Sequence, residues 1–192
     1  MNMIRTTLAG ALLLFGTTAS AHAATPYVSG SIGIAMRENS DVGEGPASYS
    51  LPYDTGYAFA GAIGLKSGKM RVEGEIGYQE NGIENADDRK VSMTTYMANG
   101  YVDLGLPVSP VTPYLTAGIG LADVKTDGMN FADNSSTVLA GQVGIGAGFS
   151  VAPMVTLDAK YRYLIAGDAE FGDDTRIGIN SHNVMLGLRV GL

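Results

Sequence analysis

The sequence predicts an all-β fold: an eight-stranded antiparallel up-and-down transmembrane β-barrel with short periplasmic turns and long extracellular loops. Three observations carry this. The chain finishes on a dyad repeat in which Val184, Leu186, Leu188, Val190 and Leu192 share one face, and Asn183, Met185, Gly187, Arg189 and Gly191 the other. Side chains alternate across a strand, so such a strand has one lipid face and one inner face, as the closing strand of a barrel must. Upstream, Val155, Leu157, Ala159, Tyr161, Tyr163 and Ile165 interleave with Thr156, Asp158, Lys160, Arg162 and Leu164. Three charged residues on one face need a polar lumen. Finally, the connections between such segments alternate between short and long, the pattern of barrels whose short turns face the periplasm.

Eight segments qualify: Tyr27 to Arg37, Thr55 to Lys66, Lys69 to Gln79, Val91 to Leu106, Thr112 to Lys125, Thr137 to Ser150, Met154 to Ala166 and Asn180 to Leu192. Each reaches the ~9 to 11 residues a tilted strand needs to cross the hydrocarbon. In the third, Met70, Val72, Gly74, Ile76 and Tyr78 face lipid, while Arg71, Glu73, Glu75, Gly77 and Gln79 face inward. The fourth points Tyr96, Ala98, Val102, Leu104 and Leu106 outward. In the sixth, Leu139, Gly141, Val143, Ile145, Ala147 and Phe149 alternate with inward Gln142, Gly144, Gly146 and Gly148. The first is too rich in Gly and Ser for a face to be assigned. Short links fall at Ser67-Gly68, 107–111 and 151–153, and long ones at 38–54, 80–90, 126–136 and 167–179, so both termini lie on the periplasmic side. No linker or second domain is expected.

The N-terminus reads as an export signal over residues 1–23, with the barrel domain over 24–192. Arg5 supplies the basic region, Leu8 to Phe15 the apolar core, and Ala21-His22-Ala23 a small-x-small cleavage site, with cleavage after Ala23. That apolar run is too short for a membrane helix, and none follows. Loss of Arg5 from the 12 basic residues leaves 11 against 19 acidic ones, a net charge of -8. This argues against nucleic acid as a partner. The chain has no cysteine, so neither disulfides nor a lipobox anchor is available. A mean hydropathy of only +0.12 fits strands whose two faces average out.

The inward positions predict a lumenal charge network of Lys66, Arg71, Lys160, Arg162 and Arg189 with Glu73, Glu75, Asp103 and Asp158. An eight-stranded barrel is just wide enough for side chains to fill it, and an unpaired charge there costs several kcal/mol. A salt-bridged plug is therefore expected, with Asp158 and Arg189 on adjacent strands as its leading pair. Outward Tyr57, Tyr78 and Tyr163, all near the long loops, are expected to form an aromatic belt at headgroup level.

The acidic excess falls in the loops: Glu38, Asp41, Glu44 and Asp54; Glu80, Glu84, Asp87 and Asp88; Asp127 and Asp133; Asp168, Glu170, Asp173 and Asp174. Such loops repel lipopolysaccharide phosphates unless divalent cations bridge them. The 167–174 stretch lacks EF-hand spacing, and no metal or other cofactor is expected. Ser181 and His182 are sequence neighbours on a strand and point to opposite faces, so they cannot form a nucleophile and base pair. Gly118-Ile-Gly120 and Gly144-Ile-Gly-Ala-Gly148 lie inside strands with no helix after them. They read as close packing rather than nucleotide loops.

The signal, the eight strands, the Pro113-Tyr114-Leu-Thr-Ala-Gly-Ile-Gly120 strand and the closing Ser181-His182-Asn183-Val-Met-Leu-Gly-Leu-Arg189 together resemble the outer-membrane β-barrel-domain family of small Gram-negative surface proteins, which includes OmpA- and OmpX-like and opacity-type barrels. The last residue is Leu192, where the insertion signals of such barrels usually end in an aromatic; the aliphatic dyad is intact. The resemblance implies a non-enzymatic outer-membrane protein with a structural, adhesive or surface-interaction role. Its expected partners are outer-membrane lipid and lipopolysaccharide, the barrel-insertion machinery through the C-terminal strand, and a host or matrix ligand through the acidic loops. The alternatives are a lipid A-modifying barrel enzyme, for which no His and Ser share a face, and a narrow small-solute channel.

Overall fold

A computed structural model describes residues 24–37, 40–42, 49–51, 55–82, 90–105, 109–127, 135–171 and 175–192. The expected leader over 1–23, its cleavage site, and most of the acidic loop side chains lie outside the described residues. The strands are β1 Thr25–Arg37, β2 Ser40–Val42, β3 Tyr49–Leu51, β4 Gly56–Ser67, β5 Met70–Gly82, β6 Lys90–Asp103, β7 Val111–Asp127, β8 Ser135–Ala152, β9 Val155–Phe171 and β10 Thr175–Gly191. Eight of them close an antiparallel barrel in the order β1-β10-β9-β8-β7-β6-β5-β4, in which β4 to β10 each pair with the next in sequence, β1 pairs with β4 past the β2-β3 hairpin, and β1 seals the ring against β10. Among the described residues no helix is long and apolar enough to cross a membrane.

Two differences from the expected segments have a common cause. β2 and β3 pair inside the first long connection, and β9 and β10 continue as a paired hairpin to Phe171 and Thr175, well past the expected ends at Ala166 and Asn180. Both stretches are polar in sequence and look like loops. Strands that project beyond the bilayer meet water on both faces and need no apolar alternation, so the period-2 signal stops before the pairing does.

The short turns explain the other end. Ser67 pairs with Met70 across Gly68-Lys69, and Gly68 carries φ 58°, which fits the type II′ turn whose twist matches its flanking strands. Ala152 pairs with Val155 across Pro153-Met154, where Met154 takes φ 73°. Proline supplies the first corner of that turn, and a side chain larger than glycine occupies the left-handed second corner.

The outer wall is a continuous apolar surface: Ile32, Ile63, Met70, Ile76, Ile119, Leu139 and Leu186 are each at least 60% exposed in the isolated chain. A surface of that extent is what a barrel shows to lipid. The alternation expected for the third, fourth, sixth, seventh and eighth segments is observed at the described positions. The first strand, unassigned from sequence, turns Val28, Ile32, Ile34 and Met36 outward and buries Tyr27, Ala35 and Arg37.

Candidate functional site in the barrel lumen

The charged side chains expected at inward positions form three groups of ion pairs. At the turn end, Asp103 receives Arg71 Nε at 2.9 Å and Lys66 Nζ at 3.1 Å. Glu73 sits one step deeper, 3.7 Å from Arg71 Nη1, and accepts hydrogen bonds of 2.7 Å from the hydroxyls of both Tyr27 and Tyr101. The Arg71 guanidinium lies over the Tyr101 ring at 4.2 Å and the Tyr114 ring at 4.7 Å, so its flat faces meet aromatic quadrupoles while its edge meets carboxylates.

Glu75 is the centre of the second cluster. It takes Arg162 Nη1 at 2.7 Å and Lys160 Nζ at 3.3 Å, with the Glu75 and Arg162 side chains each only 2% exposed. Arg162 also donates to Gln142, which in turn donates to Asn99 at 2.6 Å. With its amide oxygen turned toward Arg162, Asn183 accepts from Nε at 3.0 Å. The third cluster is Asp158 with Arg189, 3.6 Å apart. In register, Asp158 lies opposite Gly187 and Arg189 opposite Thr156, so this pair reaches diagonally across two strands rather than meeting squarely. A small cavity of about 30 Å³ lies between these groups and the short side chains of Ser29, Ser31, Ala60 and Ala62, with Asp158, Lys160 and Glu75 on its wall. That is room for more than one water.

The loop half of the lumen departs from the expected polar tube. Val91, Met93, Met97, Ala122, Val124, Ala140, Leu164 and Ala166 form a fully enclosed apolar cluster, with Leu164 at 0% and Met93 at 1% exposure, and Ala35, Ala58 and Met185 form a second one beside it. Ion pairs dominate the turn half; here methionines and short aliphatics pack together. A polar seam runs alongside, in which Ser181 donates to Gln79 and Asn81 donates to the carbonyl of Ala35.

Sequence reasoning did not single out the three lumenal tyrosines, Arg37 or the apolar cluster. The signal for Tyr101, Met97 and Met93 was present, since they share the parity of Asp103 on β6. The tyrosines also need space opposite: a Cβ at Gly64 would lie 2.5 Å from the Tyr27 ring, and one at Gly146 would lie 2.4 Å from that of Tyr114. The Gly-rich strand segments are thus packing surfaces for lumenal rings.

On the outer wall Tyr57 packs with Phe59 and Tyr78, at ring separations of 5.4 and 6.3 Å, and Tyr163 stacks at 4.7 Å on His182. Ser181 is buried in the lumen and His182 is on the outside, bonded to the Tyr161 hydroxyl. Among the described residues no group of three His, Cys, Asp or Glu could hold a metal ion.

This architecture was compared with known proteins. The family model of the outer membrane protein beta-barrel domain matches residues 7–189. The chain belongs to that family. Its place is the bacterial outer membrane. Among curated proteins, it is 41% identical over 87 residues to outer membrane protein PagN of Salmonella typhimurium, a match covering 41% of this chain and 36% of that protein. It is 35% identical over 109 residues to an uncharacterised protein of Brucella abortus, covering 50% of this chain and 38% of that one. The matched stretch thus spans little more than a third of these relatives. Among solved structures, Neisserial surface protein A aligns over 89% of this chain and 100% of its own, with TM-score 0.67 and 24% identity. Ail, the attachment invasion locus protein of Yersinia pestis, solved with the heparin analogue sucrose octasulfate, aligns over 87% and 99% with TM-score 0.50 and 20% identity. Both likenesses are of fold.

Proposed function

We propose that this outer-membrane barrel is a non-enzymatic surface-contact protein whose lumen is a closed structural plug and whose loops meet partners outside the cell. The single observation behind this reading is the two-level filling of the bore: paired charges at the turn half and a dry apolar layer at the loop half. A solute path would have to break ion pairs below and displace packed methionines above. The Ser181 and His182 geometry supplies no nucleophile with its base, which speaks against the lipid A-modifying alternative.

Function then lies at the loop end. The Ail structure holds a polyanionic ligand analogue, and this chain's loops carry an acidic excess in sequence. Like charges repel, so the ligand proposed for this chain is a basic host or matrix surface, or an anionic one reached through divalent cations. Lipopolysaccharide, the neighbour in the outer leaflet, falls under the same rule at the loops. Tyr57, Tyr78 and Tyr163 are proposed to hold the barrel at headgroup level, and the C-terminal aliphatic strand to be read by the insertion machinery.

The test has two arms. Planar bilayers with the refolded barrel should show no stable single-channel current; a sustained current would sink the plug and favour the channel alternative. Cells displaying the barrel should adhere to a basic matrix more than cells whose barrel carries shortened 83–89 and 128–134 connections, and equal adherence would remove the loops from the function.

A further inference from the structure

On three strands the outward positions follow one sequence of chemistry from the turn end upward. β4 shows Leu65, Ile63, Gly61 and Phe59 and then Tyr57; β5 shows Met70, Val72, Gly74 and Ile76 and then Tyr78; β10 shows Val190, Leu188, Leu186 and Val184 and then His182. Four apolar steps therefore precede the first polar-tipped ring at each place. Eight residues at ~3.3 Å, tilted by about 40°, climb about 20 Å, close to the height of the apolar band of such barrels. His182 on β10 thus stands the same number of steps above the turn end as Tyr57 and Tyr78, two and three strands away across β1, at the upper edge of the hydrocarbon.

At that edge β9 and β10 carry a cluster unlike the rest of the wall. Tyr163 is paired with His182 in the ladder, their rings 4.7 Å apart, and the Tyr161 hydroxyl lies 2.6 Å from His182 Nδ1. The contact holds in either charge state of the ring: the hydroxyl donates to a neutral Nδ1, or accepts from an imidazolium. Below the cluster lie the aliphatic Val184 and Leu186, and beside it on β1 lie Ile34 and Met36. An acyl chain would run down these four while its headgroup met the rings.

We propose that the Tyr161, Tyr163 and His182 cluster is a binding site for the phosphorylated glucosamine headgroup of an outer-leaflet glycolipid of the lipid A class. The proposal rests on the membrane placement above and not on what the loops bind. Its chemistry is complementary: hydroxyl and imidazole groups donate to phosphate oxygens, and an aromatic face suits the sugar's C–H surface.

The barrel refolded in phosphatidylcholine vesicles doped with diphosphoryl lipid A should retain that lipid on native mass spectrometry in preference to lipid A stripped of its phosphates. His182→Ala should cut retention of the phosphorylated lipid about tenfold and Tyr161→Phe about threefold, as loss of a hydrogen bond to a charged group implies, with retention of the stripped lipid unchanged. Tyr96→Phe, an outward tyrosine on β6 four strands round the ring from β10, should change nothing. Heat-modifiable gel mobility reports that each variant is folded, and inorganic phosphate at the same concentration should not displace the lipid. Equal retention of both lipids by wild-type protein, an equal loss in Tyr96→Phe, displacement by inorganic phosphate, or no loss in the two cluster variants would each overturn the site. Cell adherence through the loops would be untouched by any of these results, so the two readings fail separately.

Discussion

The two halves of the lumen solve one packing problem by opposite means. Both lie inside the same ring of eight strands and both are built from alternate residues, yet the turn half is filled by Arg71, Glu73, Glu75, Asp103, Lys160 and Arg162 and the loop half by Val91, Met93, Met97, Val124 and Leu164. Charged filling tolerates water and a small cavity, because its polar groups can bond to water. Apolar filling tolerates neither, since its stability comes from area removed from water and from close contact. The comparison teaches that the lumenal face of this barrel carries both paired charges and an enclosed apolar cluster.

The largest expected effect comes from Glu75→Gln. Arg162 and Lys160 would lose their carboxylate where the Arg162 side chain is 2% exposed, and the barrel should be destabilised by about 3 to 5 kcal/mol in urea unfolding from detergent. A loss below 1 kcal/mol would mean that the turn half is hydrated like a surface. Leu164→Ala, in the dry layer, should cost about 2 to 4 kcal/mol, with Leu164→Met nearly neutral. In planar bilayers Leu164→Ala combined with Met93→Ala should admit transient currents that Glu75→Gln does not. The reverse ranking would make the charged half the seal.

Smaller effects refine the charged half. The diagonal 3.6 Å separation of Asp158 and Arg189 places this pair below Glu75 and Arg162, although its adjacent strands made it the leading candidate from sequence. A double-mutant cycle with Asp158→Asn and Arg189→Gln should give a coupling of about 1 kcal/mol, and none at all would dissolve the pair. Least of all, Lys66→Ala should cost less than about 1 kcal/mol, because its side chain is 44% exposed at the mouth and salt screens its bond to Asp103. A larger cost would show that the mouth is closed.

Strand number, the faces of most strands, and the alternation of turns and loops were legible in the sequence because they are local. The pleat has a period of two residues, and a hairpin puts sequence neighbours side by side. Where that local signal was weak, in Gly- and Ser-rich β1, the ring itself settled the matter. β1 is clamped between β4 and β10, and pairing with both aligns its outward residues with theirs. The belt tyrosines and His182 were legible in face but not in company. The packing of Tyr163 and Tyr161 around His182 follows from the β9 and β10 register.

What only the tertiary structure decided is who meets whom across the bore. Glu75 finds Arg162 from 87 residues away, Glu73 finds Tyr27 from 46, and Met93 and Leu164 share one apolar layer although each belongs to a strand whose lumenal face also carries charge. The alternation specifies that a side chain points inward and is silent on its height. Height depends on the tilt and stagger with which eight paired strands close, and that is a property of the whole ring rather than of any segment.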